Sequence, residues 1–235
     1  MGNNYFLEEL KAFLDDWVKR INELIKLPTD TPHAILDNEL FSFDNKSGYS
    51  IKDDAVEKLL NAKICFVGDN PGDKEAEHLR YFYYEIDDNQ RDERRAGSKI
   101  HKILEQIGRE KVLLFNKCLI HTHSTRDLKA KEINSTANIV VDFLNNLSAA
   151  NKEILFLFFG VNKKFSKIYS RLSKDPASKS VIYYHPCSSK YSENQLLAKV
   201  KEGKLIELNL NTQKHFFKLS DDEDDGLAGS VCVSK

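Results

Sequence analysis

The chain has 235 residues, of which 41% are hydrophobic and 30% charged, and its formal net charge is −1. That size and apolar content suit one compact domain with a sizeable core, and the balanced charge excludes nucleic-acid binding through overall basicity, leaving only a local basic patch for that role. There is no run of about 18 apolar residues, so no membrane span is expected. Cys65, Cys118, Cys187 and Cys232 have neither CxxC spacing nor the density of a disulfide framework, and isolated thiols of this kind fit a cytoplasmic protein.

In chain order, Phe6, Leu10, Phe13, Leu14, Trp17, Ile21 and Leu24 recur at three- and four-residue steps and predict an amphipathic helix over residues 5–26, ended by Pro28 and Pro32. Its acidic residues, Glu8, Glu9, Asp15 and Asp16, do not fit a signal peptide. Residues 28–50 are polar and turn-rich and read as a long connecting segment, followed by a short helix with Val56, Leu59 and Leu60 inward. Lys63 to Val67, stopped by Gly68, reads as a buried strand. The dense mixed charge from Glu85 to Arg95 suits a solvated loop. A helix is expected over residues 96–108, with Ile100, Ile103, Leu104 and Ile107 on one stripe and Gly108 as its cap. Strands over Val112–Phe115, Ile154–Phe159 and Val181–Tyr184 alternate with helices over residues 131–147 and 161–172. Ser192 and Gln195 have capping-box spacing and start a last helix, running to about Val200. Leu205 to Leu219 alternates like a hairpin or two edge strands, and the acidic stretch from Asp221 onward has the composition of a disordered tail.

This alternation predicts an α/β fold, a three-layer α/β/α sandwich around a central four-stranded, mainly parallel sheet, in one domain over residues 1–220. In such sheets ligands bind at the carboxyl ends of the strands, which selects three segments. Gly68-Asp69-Asn70-Pro71-Gly72 is a stiff turn that can aim an amide into a cleft. Asn116 ends an apolar strand and suits a planar ligand with mixed donors and acceptors. His185, fixed by Pro186, suits electrostatic or acid–base work. Each segment taken alone fits a turn without chemistry equally well or better. His121 and His123, two residues apart, could share a face and hold a metal, but no third ligand is evident.

In order and context together, the three segments resemble the uracil-DNA glycosylase superfamily. Gly68 to Gly72 looks like the family's first motif, Asn116 like the asparagine after its second strand, and His185-Pro186 like the opening of its last motif. Phe82 falls where the family places a base-stacking aromatic, Arg95-Ala96-Gly97 resembles a helix start of the thermostable branch, and Phe159-Gly160 resembles the strand end before the last helix. The likeness covers residues 60–200.

The resemblance implies a monofunctional glycosylase that extrudes a damaged base from DNA into a pocket, with Asn70 and His185 catalytic and Gly68, Asp69, Phe82 and Asn116 around the base. Asn70 stands at the water-positioning place, where an amide can orient a water but is a poor base. In the best-known branch a tyrosine stands at the place of Gly72 and excludes thymine, so glycine there suggests a roomier pocket. Ser188, Lys190 and Tyr191 are expected to contact DNA, with Tyr191 filling the gap left by the flipped base and Lys190 on a phosphate. The chain lacks the cysteines of the iron–sulfur branch, and no metal or redox cofactor is expected. A monomer acting on DNA with a damaged base is the main expectation; a catalytically weak homologue that only binds nucleic acid or a nucleotide is the alternative.

Overall fold

The structure is a computed structural model that describes residues 2–25, 34–83, 96–160 and 162–208, with side chains from Leu7 onward. A long helix, α1 (Gly2–Ile25), leads into a two-stranded antiparallel hairpin, β1 (Phe41–Asp44) and β2 (Gly48–Ile51). Then come α2 (Ala55–Asn61), β3 (Ile64–Gly68), α3 (Asp73–His78), α4 (Ala96–Ile107), β4 (Val112–Asn116) and α5 (Ala130–Ala150). The chain continues through β5 (Leu155–Phe159), α6 (Ser166–Tyr169), α7 (Lys174–Ser178), β6 (Ser180–Tyr183) and α8 (Glu193–Lys201).

The main sheet has the order β4-β3-β5-β6, with every pairing parallel, and is flanked by helices in a three-layer α/β/α arrangement. Its strands are near-continuous apolar runs, buried throughout except at Leu155, as expected when both faces of a parallel sheet are covered. Helix α1 packs on α5, and α4 packs on α8. Trp17 anchors α1: its ring meets Phe41, Phe115 and Phe143, and its indole N–H donates to the Ile139 carbonyl at 2.7 Å. Leu10 of α1 and Leu208 near the other end belong to the same buried apolar cluster as the strands. Asn151 ties α5 to α2 by donating to the carbonyls of Leu59, Leu60 and Ala62.

Three readings of the sequence need correction. The connecting segment contains the β1–β2 hairpin, whose turn is built on Asp44: its Oδ1 accepts from the backbone N–H groups of Lys46 and Ser47, and Gly48 follows at φ 81°. Four-residue strands with exposed Ser42, Phe43 and Asp44 leave no period-two signal. The helix expected over residues 161–172 is shorter: Asn162 caps its start through Lys164 N–H, and a 3₁₀ turn at Lys163–Phe165 runs directly into the single turn of α6, which ends at Tyr169. Leu205–Leu208 is a 3₁₀ turn rather than a strand, burying Leu205 and Leu208 at a three-residue step. Residues 209–219, the acidic tail and the charged run from Glu85 to Arg95 lie outside the described residues.

Candidate active site

The parallel register sets the site. Gly68 and Asn116, the last residues of β3 and β4, are direct partners, and Phe159 of β5 stands beside Tyr183 of β6, two residues before His185. Gly68, Asp69, Asn70, Phe82, Asn116 and His185 line one cavity of about 550 Å³. Chain order separates these residues by up to 117 positions, and the strand ends bring them together.

Two glycines are required by close approach. A Cβ on Gly68 would lie 2.5 Å from Asn116 Oδ1 and 2.8 Å from Phe82 Cζ, so this residue is what lets the amide and the ring converge. A Cβ on Gly97 would lie 2.1 Å from the Tyr83 carbonyl oxygen, so the N-terminus of α4 can press against the backbone that carries Phe82. Phe82 itself has φ 51°, a left-handed conformation costing a non-glycine residue about 1–2 kcal/mol. Its ring meets Phe159 edge to face at 5.8 Å.

Asn116 is 2% exposed, and its Nδ2 is buried without a hydrogen-bond partner. Such a donor costs about 1–3 kcal/mol until something accepts from it. The amide of Asn70, by contrast, is fixed: Nδ2 donates to Thr122 Oγ1 at 2.9 Å and to the Pro71 carbonyl at 3.1 Å, while Oδ1 accepts from Thr125 Oγ1 at 2.8 Å. One acceptor position remains on Oδ1.

His185 accepts from the Cys187 backbone N–H through Nδ1, at 3.2 Å. In the neutral ring the proton therefore sits on Nε2, which is left as a donor. Burial holds the imidazole below its ordinary pKa; the Asp69 carboxylate works against this, and Lys117 and Lys99 add to it.

Lys117 was not anticipated from sequence, although a charge inside Leu113–Ile120 is a signal that could have marked it. It is wholly buried. Its ammonium pairs with Asp69 and donates to the Phe159 carbonyl at 2.7 Å and to Tyr169 Oη at 3.2 Å, with the Phe165 ring 5.1 Å away. Burial opposes its charge, but Asp69 and Tyr169 outweigh burial and hold its pKa above the ordinary lysine value. Glu75 and Thr122 carry no signal in the sequence, whereas Thr125, in the segment Ser124 to Arg126 that suits a DNA groove, lines the cavity beside Asn70. Glu75 Oε2 accepts from Gly72 N–H at 2.8 Å, and Oε1 accepts from Phe82 N–H.

The last motif departs from expectation. Ser188 and Lys190 lie on the turn beyond the cavity, with the Lys190 ammonium 5.9 Å from the Tyr184 ring. Tyr191 does not project as a wedge. Its ring packs on Tyr183 at 5.9 Å and near Phe159 at 6.5 Å, the Lys99 ammonium lies over it at 5.7 Å, and its hydroxyl is buried. Three large neighbours draw the ring into the body of the protein. His121 and His123 both converge on Asp73, bonding its two carboxylate oxygens, and among the described residues no cluster of three or more His, Cys, Asp or Glu could hold a metal ion.

A ring-floored cavity with an unsatisfied amide and a neutral imidazole at its strand-end walls suits a flat heterocycle rich in carbonyl groups. A sequence model of the uracil DNA glycosylase superfamily matches residues 56–203, more than half of the chain, so the chain belongs to that superfamily. No curated protein matches it in sequence. Membership supports a DNA glycosylase-type function in general, and no helix among the described residues is long and apolar enough to cross a membrane.

Proposed function

We propose that the protein is a monofunctional DNA glycosylase that hydrolyses the N-glycosidic bond of uracil or a related deaminated base, in base-excision repair. The observation that carries this reading is the buried Nδ2 of Asn116, without a hydrogen-bond partner among the described residues, on a residue that lines the same cavity as Phe82 and His185. A flipped base would stack on Phe82 and give Asn116 the acceptor it lacks.

As the bond between the sugar and the base breaks, its electron pair leaves with the base. Nε2–H of His185 would donate to the base oxygen on which that charge collects, an electrostatic stabilisation that needs no charged acid. A water held by Oδ1 of Asn70 then adds to the sugar carbon and releases its proton to solvent, leaving an abasic site. Asn70 is a weak base, which suits late water attack and slow turnover. Lys117 is protonated and enclosed, so it cannot attack the sugar as an amine, which supports hydrolysis over a lyase reaction.

A second reading, binding without cleavage, is favoured by one observation: three of the four hydrogen-bonding positions of Asn70 are already used internally. One assay separates the two. Single- and double-stranded oligonucleotides carrying uracil, hypoxanthine, xanthine or a T:G mismatch are incubated with the protein, and abasic sites are cleaved with alkali. The glycosylase reading expects cleavage that falls about 100- to 1,000-fold in His185→Ala and is lost in Asn70→Ala. Specific binding with no cleavage establishes the second reading, and neither binding nor cleavage overturns both.

A further inference from the structure

We infer that Asp37 and Glu75 form a two-carboxylate clamp that positions the base-stacking ring by holding the consecutive backbone N–H groups of Tyr81 and Phe82. Oδ2 of Asp37 accepts from Tyr81 N–H at 2.7 Å, and Oε1 of Glu75 accepts from Phe82 N–H. Phe82 is the residue held at φ 51°, and Leu79, three residues before it, is held at φ 50°. Two left-handed non-glycine residues in one short turn persist only where the surroundings over-determine them.

The surroundings come from residues 34–40, which lie outside the family-matched region. Asn38 N–H donates to the Leu79 carbonyl at 2.7 Å, and Tyr81 Oη donates to the Ile35 carbonyl. Glu39 accepts from Arg80 at 3.2 Å and pairs with Arg109 at 2.8 Å. On its other side this strap is tied to the segment after Asn116, where Ile35 N–H donates to the Leu119 carbonyl at 2.8 Å and Ala34 bridges Ile120. Asp37 is 2% exposed, and its second oxygen accepts from Glu39 N–H at 2.8 Å. The Glu75 carboxylate spans from the first-motif turn at Gly72 to Phe82. The clamp thus links the strap, the water-positioning turn and the stacking ring. It touches no reacting atom, so both carboxylates are positioning residues.

This inference rests on the reading that Phe82 stacks on the target base. Its test is a double-mutant cycle on single-turnover release of whichever base the protein is found to cleave, or on the Kd of that oligonucleotide if the protein only binds. Glu75→Ala should weaken kcat/KM, or Kd, on the order of 10- to 100-fold through misplacement of the ring, chiefly through KM. In a Phe82→Ala background the same change should cost less than about twofold, since there is no ring left to position. Glu75→Gln keeps an acceptor for only one of the two N–H groups, Gly72 or Phe82, and should fall between the parent and Glu75→Ala. Asp37→Asn, a shape-preserving change, carries the same cycle should Glu75→Ala fail to fold. Equal losses with and without the Phe82 ring overturn the clamp and leave the stacking reading standing. A Phe82→Ala protein that handles every base as the parent does overturns both.

Discussion

Among single residues, the two first-motif glycines make opposite predictions. Gly68 has no space for a methyl group, so Gly68→Ala should push Asn116 or Phe82 aside and abolish base release while leaving a folded protein. Gly72 has ordinary backbone angles, φ −90° and ψ −178°, and a methyl group there would meet nothing closer than Glu75 Oε2 at 3.6 Å. Gly72→Tyr should therefore fold, with stability changed by no more than about 0.5 kcal/mol, and lose release of bases bulkier than uracil first. A base panel run on both variants checks the pair. The pH profile is a second residue-level prediction. Burial pushes the Asp37 carboxyl up to about 6, where it faces the Glu39 carboxylate and the Arg109 guanidinium, and pushes Glu75 up to about 7, where it faces Asp37. Both accept fully only when ionised, so base binding should weaken as pH falls through 7 and then 6, before His185, held below its ordinary value, takes up a proton. Stability should move the other way for these two groups. Their folded pKa values exceed the unfolded ones, so the native state binds more protons, and their contribution falls as pH rises from about 4 to 7. Urea midpoints across that range, compared with the Asp37→Asn, Glu75→Gln double variant, should show a shallower decline in the variant.

Among elements, the strand ends are held by charge as much as by hydrogen bonds. Lys117 follows β4, Asp69 follows β3, and the Phe159 carbonyl ends β5, so one ammonium fastens three strands beneath the cavity. Lys117→Met removes the cation and leaves Asp69 nearly buried and unpaired, and should cost about 3–5 kcal/mol in urea unfolding. Adding Asp69→Asn should recover much of that. A loss unchanged in the double variant would show that packing, rather than the ion pair, was at stake. The same elements show what the sequence carries. Buried parallel strands are continuous apolar runs, so β3 to β6 and the polar residues that stop them are legible one after another. Asp37 and Glu75 are not, and of Lys117 only the charge within Leu113–Ile120 shows, because each acts on a partner that only the folded chain supplies. Tyr191 misleads for the same reason: a loop tyrosine reads as exposed until Tyr183 and Phe159 are seen beside it.

For the whole molecule, helix α1 precedes the family-matched region yet shares its core through Trp17, Phe115 and Phe143. Trp17→Ala should destabilise the entire protein by about 3–5 kcal/mol in one cooperative transition, monitored by far-ultraviolet circular dichroism. A separate early transition confined to helix signal would show that α1 is an appendage. The matched residues alone would lack both this anchor and the strap.

The strap at residues 34–40 also bears on inheritance. A residue such as Asp37 stands outside the family-matched region, yet it acts on the backbone beneath the pocket. On the clamp reading, a change there should alter which base is accepted while every motif residue stays the same. A motif-bearing segment grafted behind another member's leading residues would, on the same reading, arrive without the contacts that Asp37 and Asn38 make to Tyr81 and Leu79.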